Sequence, residues 1–180
     1  VAYAGTQTSD FNAVKVWGLK DTDFFQIDCF VKQTKMRAAV DWMCYFQKQL
    51  PANVIVHWRF EAQFWNDEVE RTIEESEIDN NEVLNIIKIQ VPKGISKYDR
   101  MLRMQSYYQN GRIYYNEKKK SHQDTNTGLA QLYGIEPGYK TKDDSPDGDE
   151  HCISELSKYI VKGRRSGKIK TGKHERKTRF

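Results

Sequence analysis

The run Asn53-Val-Ile-Val-His-Trp-Arg-Phe-Glu61 is dense in β-branched and aromatic residues and reads as a strand. Just before it, Thr34 is a plausible N-cap for a helix over residues 34–50. Met36, Ala39, Val40, Met43, Phe46 and Leu50 fall on its buried face, and Pro51 ends it. A strand that follows a crossover helix in this way is expected to be parallel and interior. Glu61 then stands at its C-terminal end, where open α/β sheets place their chemistry.

On the N-terminal side, residues 11–19 form a strand with Ala13, Val14, Val16, Trp17 and Leu19 as apolar members. Lys20-Asp-Thr-Asp makes a tight turn, and residues 24–32 return with Phe25, Ile27, Cys29 and Val31 on one face by strict alternation. Two adjacent antiparallel strands are the simplest account. On the C-terminal side come a charged helix over 64–77, a strand over 83–91 and a helix capped by Ser96 that runs to Tyr108. A short strand over 112–116, a polar loop around Lys118-Lys-Lys and a short helix over 129–133 complete this half. The last helical pattern carries Ile153, Leu156, Ile160 and Val161 on one face. The expected class is a mixed α/β domain, with antiparallel strands first and helix–strand alternation afterwards.

A chain of 180 residues with 10 Tyr, 8 Phe and 4 Trp can bury a real core. No apolar run reaches the length of a membrane span, so no membrane partner is expected. Cys29, Cys44 and Cys152 are odd in number and far apart, which favours reduced thiols and a cytosolic setting. The formal charge of +4 is uneven. Residues 163–180 hold eight Lys or Arg against one Glu, a net +7, which leaves −3 for the preceding 162 residues. Such a basic arm either contacts phosphates or stays solvated. His57, His122, His151 and His174 show no ligand spacing and no nucleophile motif beside them, and His57, inside an apolar strand, reads as a core residue. Gly163-Arg-Arg-Ser-Gly-Lys-Ile lacks the spacing and the preceding strand of a phosphate-binding loop.

Lys142-Asp-Asp-Ser-Pro-Asp147 opens the last helix. Asp144 or Ser145 can cap it, and Pro146 suits its first position. Asp143, Asp144 and Asp147 crowd there, either as an acidic first turn favoured by the helix dipole or as ligands for a cation. With Glu61 they can meet at one edge of a sheet as an oxygen-rich site for Mg²⁺ or Mn²⁺. Two such ions about 4 Å apart serve phosphodiester hydrolysis. Taken alone, Glu61 is equally a solvated strand end, and Asp10 is either an accessory ligand or a turn-forming residue.

Four segments in order carry a resemblance. They are Arg59-Phe-Glu-Ala-Gln-Phe64, Lys97-Tyr-Asp-Arg100, Asn110-Gly-Arg-Ile-Tyr-Tyr115 and Asp143-Asp-Ser-Pro-Asp-Gly148. Together they resemble the C-terminal nuclease domain of tailed-phage large terminases, over residues 1–162. The resemblance implies an RNase H-like fold, a mixed sheet flanked by helices. It also implies an endonuclease that cuts concatemeric double-stranded DNA during genome packaging with two Mg²⁺ or Mn²⁺ ions. Glu61 would be the second-strand acid, and Asp143, Asp144 and Asp147 would supply the third, with Glu61, Asp144 and Asp147 as the catalytic set. Lys97 and Arg100 would contact phosphate, or form an ordinary solvated first turn. Arg112, near the Lys118–Lys120 run, would face DNA, or border a plain charged loop.

Family members carry a first acid in Asp-Pro-Ser or Asp-Pro-Ala at the end of their first strand. Here Ala2-Tyr-Ala-Gly-Thr-Gln-Thr-Ser-Asp10-Phe aligns with the loop that follows, so that acid is expected at or before Val1. The chain is accordingly expected to be an N-terminally truncated domain, without most of its central strand and without the ATPase domain that precedes it. Its partners would be DNA, that ATPase domain, the portal and the small terminase subunit, in the host cytoplasm rather than the mature particle. The competing expectations are another RNase H-like nuclease of resolvase or transposase type, and a non-catalytic module docking DNA or a portal through the basic tail.

Overall fold

A computed structural model of the chain describes residues 10–91 and 94–160. The residues before Asp10, Val161 and the basic arm lie outside the described residues. Strand β1 (Asn12–Lys20) pairs antiparallel with β2 (Asp23–Lys32), from Asn12 opposite Lys32 to Lys20 opposite Asp23, with a bulge between Val16 and Trp17. Asp21 makes the turn at a φ of 56°, a left-handed conformation that a short polar side chain tolerates. Helix α1 (Met36–Lys48) follows. Its N-cap is Lys35, without a side-chain cap, rather than Thr34. Met36, Ala39, Val40, Cys44 and Phe46 are its buried residues, with Met43 partly buried beside them.

Strand β3 (Trp58–Glu61) runs parallel to β4 (Ile86–Ile89) across helix α2 (Asp67–Asn80). Asn66 caps α2 by accepting the Val69 N–H at 3.0 Å. Helices α3 (Lys97–Leu102) and α4 (Gln105–Gln109) precede β5 (Ile113–Tyr115), which lies parallel to β2. Helices α5 (Gln123–Tyr133) and α6 (Asp144–Ser157) complete the described chain. The strands form two sheets, one ordered β1-β2-β5 and mixed, the other β3-β4 and parallel. Helices flank them in layers, so the architecture is mixed α/β.

Two cores lie on opposite faces of the hairpin. Val16 joins Met36, Val40, Cys44, Phe46, Trp58, Val69, Ile73 and Leu84 between β1, α1, α2 and the β3-β4 pair. Trp17, next in sequence but pointing the other way, joins Phe24, Met101, Met104 and Ile153. Cys29, Cys44 and Cys152 are free thiols. Among the described residues no helix is long and apolar enough to cross a membrane.

Several expectations are corrected. Residues 53–57 are not strand, because β4 offers only four residues for pairing. Val54 and Ile55 are exposed, and β4 is the one hydrogen-bonded neighbour of β3 among the described strands. His57 is likewise exposed, bonded to Asn85, and not a core residue. Along β2 the buried face changes. Phe24 and Gln26 are buried near the turn while Ile27 is 42 % exposed, because the second core covers that end. The helix expected from Ser96 to Tyr108 is two helices, joined where Arg103 and Met104 donate to carbonyls three residues back. Helix α5 starts six residues early, inside the polar stretch. Asp124 and Thr125 are buried there, so hydropathy conceals it. In α6 the N-cap is Asp143, and Pro146 occupies the third helical position, where an N–H would have no intrahelical partner.

Candidate metal centre

Glu61 ends β3, and α6 presents Asp147 and His151 four residues apart, on one face of the helix. One ligand atom from each of Glu61, Asp147 and His151 lies within 4.8 Å of the other two. His151 Nε2 is 3.3 Å from Glu61 Oε1 and 4.0 Å from Asp147 Oδ1. All three side chains are largely buried, at 22 %, 10 % and 17 % exposure for Glu61, Asp147 and His151.

Cations from α3 hold the cluster together. The Arg100 fork donates to Asp147 and to Glu150, each at 2.9 Å, and is itself buried. Lys97 bridges Asp143 at 2.9 Å and Asp147 at 3.2 Å. Burial alone would depress the Lys97 ammonium, but the Asp143 hydrogen bond and the Asp147 charge outweigh it and raise it. Tyr139 also donates to Asp143, and burial together with that bond pushes its phenol up to about 12.

His151 shows why a cation suits this place. Its Nε2 faces both Glu61 and Arg100 Nη1, each at 3.3 Å. With a proton, that nitrogen serves Glu61 but opposes the guanidinium. Without one, it accepts from Arg100 but turns a lone pair toward the carboxylate. Two carboxylates with one imidazole are a donor set that fits a divalent cation, which would take the place that the Arg100 guanidinium holds beside Asp147 Oδ1 and His151 Nε2.

The structure brings together two of the acids named from sequence, Glu61 and Asp147, and separates the others. Asp143 is taken by Lys97 and Tyr139. Asp144 accepts the Phe11 N–H at 3.2 Å, and burial raises its carboxyl above the ordinary range. Asp10 pairs with Lys142, whose hydrogen bond holds it low. Lys97 and Arg100 contact carboxylates rather than standing free in a solvated turn. Arg112 lies at the far end of the hairpin, bonded to the Thr22 carbonyl and 3.6 Å from Asp23. Lys119 of the basic run pairs with Asp28 at 2.7 Å. His151 is the member that sequence reading passed over. Its spacing from Asp147 is the signal, visible once Asp and His are searched as a pair.

The Glu61–His151 contact has a pH signature without metal. The His151 hydrogen bond is the main cause that lowers Glu61 below 4.5. Burial would depress His151, but the Glu61 hydrogen bond and the Asp147 charge outweigh it and lift it above 6.5. The stabilisation from His151 is therefore complete below pH 6.5 and lost as pH rises through its folded value. That from Glu61 is complete above pH 4.5 and lost as pH falls through its lowered value. In EDTA, melting temperature is expected to decline by roughly 2–4 °C as pH rises past the His151 titration. His151→Gln should abolish that decline, and superimposable profiles would refute the pairing.

Compared with family profiles and with curated proteins, the sequence matches none.

Proposed function

We propose that the chain is a metal-dependent endonuclease domain of the tailed-phage large terminase type, with an RNase H-like arrangement of its strands. The observation that carries this reading is the convergence of Glu61, Asp147 and His151 from a strand end and a distant helix. The order of the four resembling segments supports it as well. The substrate class is double-stranded DNA, and the reaction is phosphodiester hydrolysis.

Glu61, Asp147 and His151 are the residues that would hold a divalent ion. The imidazole favours Mn²⁺ over Mg²⁺ in this set. Such an ion supplies Lewis acidity toward the phosphodiester and its attacking water. Arg100 orients the Asp147 carboxylate from beneath and keeps α3 against α6. Lys97, whose side chain is 40 % exposed, stands at the rim, where a substrate phosphate can reach it. Three ligands form one ion site among the described residues, so a second ion draws on residues beyond this group.

The test is calorimetric titration of Mn²⁺ into the wild type and Glu61→Gln, with plasmid cleavage alongside. Glu61→Gln is expected to weaken Mn²⁺ by on the order of 100-fold, about 2.7 kcal/mol, and to lose cleavage. In EDTA, above the His151 titration, its melting temperature should stay close to that of the wild type. Equal Mn²⁺ affinity in both proteins would end the metal assignment, and full cleavage by Glu61→Gln would end the nuclease assignment. A non-catalytic DNA-binding module is the second reading. It is favoured by the fact that Lys97 and Arg100 already neutralise Asp147. It requires that Mn²⁺ not bind at all.

A further inference from the structure

Strand β3 and helix α6 meet through two successive rungs of opposite polarity. At the first, Glu61 faces His151 at 3.3 Å. At the second, Arg59 faces Glu155 at 3.1 Å. Arg59 is two residues from Glu61, so both side chains lie on one face of the strand, and Glu155 is one helical turn beyond His151. Helix α3 follows the same pattern. Arg100 enters the acidic cluster, and Arg103 stands three residues further on. The second rung borders a cleft of about 340 Å³ lined by Arg59, Arg103, Ser154, Glu155 and Lys158, and by His151 of the first rung.

The charges in this cleft do not balance. Glu155 is shared by Arg59 at 3.1 Å and Lys158 at 2.5 Å. Glu150, which also borders it, is bonded to Arg100. Arg103 is exposed and makes no ion pair among the described residues. Arg59, Lys158 and Arg103 therefore face a single carboxylate, Glu155, that no cation from outside the cleft neutralises among the described residues, beside the acidic cluster. From the geometry we infer that this cleft is a phosphate-binding subsite for a nucleic-acid strand, and that it fixes the strand relative to Glu61, Asp147 and His151. The inference rests on the nuclease reading for its ligand. Two residues of strand advance about 6.6 Å. That is about the separation of adjacent phosphates along one strand, so the bound phosphate neighbours the one at the acidic cluster. Arg103 and Arg59 position the strand and take no part in bond cleavage.

The experiment measures binding of a labelled duplex oligonucleotide to the full chain by fluorescence anisotropy, in EDTA, over a series of salt concentrations. Arg103→Glu is compared with Arg71→Glu, a reversal on the exposed face of α2, whose side chain is 70 % exposed. Arg103→Glu is expected to weaken binding roughly tenfold and to lower the salt slope by about one, with Mn²⁺ affinity unchanged. Arg71→Glu should leave affinity within about twofold of wild type. Equal losses in the two variants, or none in Arg103→Glu, would overturn the subsite while leaving the Mn²⁺ result to decide the metal assignment. No oligonucleotide binding by the wild type at low salt would overturn the subsite and the nucleic-acid reading together. Weakening confined to Arg103→Glu in a protein that takes no Mn²⁺ would uphold the subsite and end the metal assignment alone.

Discussion

Arg100→Met is expected to lower stability by about 3–5 kcal/mol, because it strands the Glu150 carboxylate away from water and takes one of two cations from Asp147. Arg100 is 5 % exposed and gives one nitrogen to Asp147 and the other to Glu150. Lys97 still reaches Asp147 after the change, but Glu150 is left without its guanidinium. At roughly 2–4 °C per kcal/mol for a chain of this size, melting temperature should fall by roughly 10 °C. Arg100→Lys should recover only part of this, since an ammonium cannot span both carboxylates as a planar fork does. The triple variant Arg100→Met/Asp147→Asn/Glu150→Gln should recover more, because no buried charge then lacks a partner. Urea denaturation settles the matter, and a loss under about 1 kcal/mol for Arg100→Met would show that the fork carries little of the fold.

Lys15→Met is expected to cost a similar amount, about 3–5 kcal/mol, on a face of α6 turned away from Asp147 and His151. The Lys15 ammonium lies 3.3 Å from Asp149, and both side chains are only 3 % exposed. Asp149 also accepts from Trp17 Nε1 at 2.9 Å and Gln26 Nε2 at 3.3 Å. These neutral donors keep the carboxylate hydrogen-bonded but do not cancel its charge. The slot for Lys15 exists because α5 and α6 each carry a glycine beside it. A Cβ at Gly128 would come within 3.0 Å of the ammonium, and one at Gly148 within 3.1 Å of the Lys15 stem. Lys15→Met/Asp149→Asn should lose less than Lys15→Met alone. Chemical denaturation of the wild type, Lys15→Met, Asp149→Asn and the double variant gives the coupling directly, and a double variant as unstable as the sum of the two singles would refute the pair.

The antiparallel hairpin was legible because its alternation is a purely local signal, and the helix that follows it for the same reason. The strand ending at Glu61 was legible in identity but not in extent, since β4 sets how far it can pair, and no local pattern reports the length of a partner. The start of α5 was hidden because Asp124 and Thr125, polar in sequence, are buried in the fold. Two of the acids that meet could be named from strand-end and helix-start positions. Their companions could not. Lys97 and Arg100 look like free phosphate contacts until α3 is seen against α6, and Arg59 and Arg103 acquire meaning only when the two rungs are superposed on the helix register.

The docking of α6 on β1 has a consequence for how the protein is made. Trp17 and its acceptor Asp149 are separated by 132 residues. At a synthesis rate of roughly 5–20 residues per second, β1 emerges on the order of ten seconds before the helix that covers it exists. During that interval Lys15 and Trp17 form one bare face of a hairpin, open to chaperones and to other nascent chains. Final closure of that layer waits on the late arrival of α6, and a ribosome that stalls before Asp149 releases a hairpin with its most demanding cation unpaired.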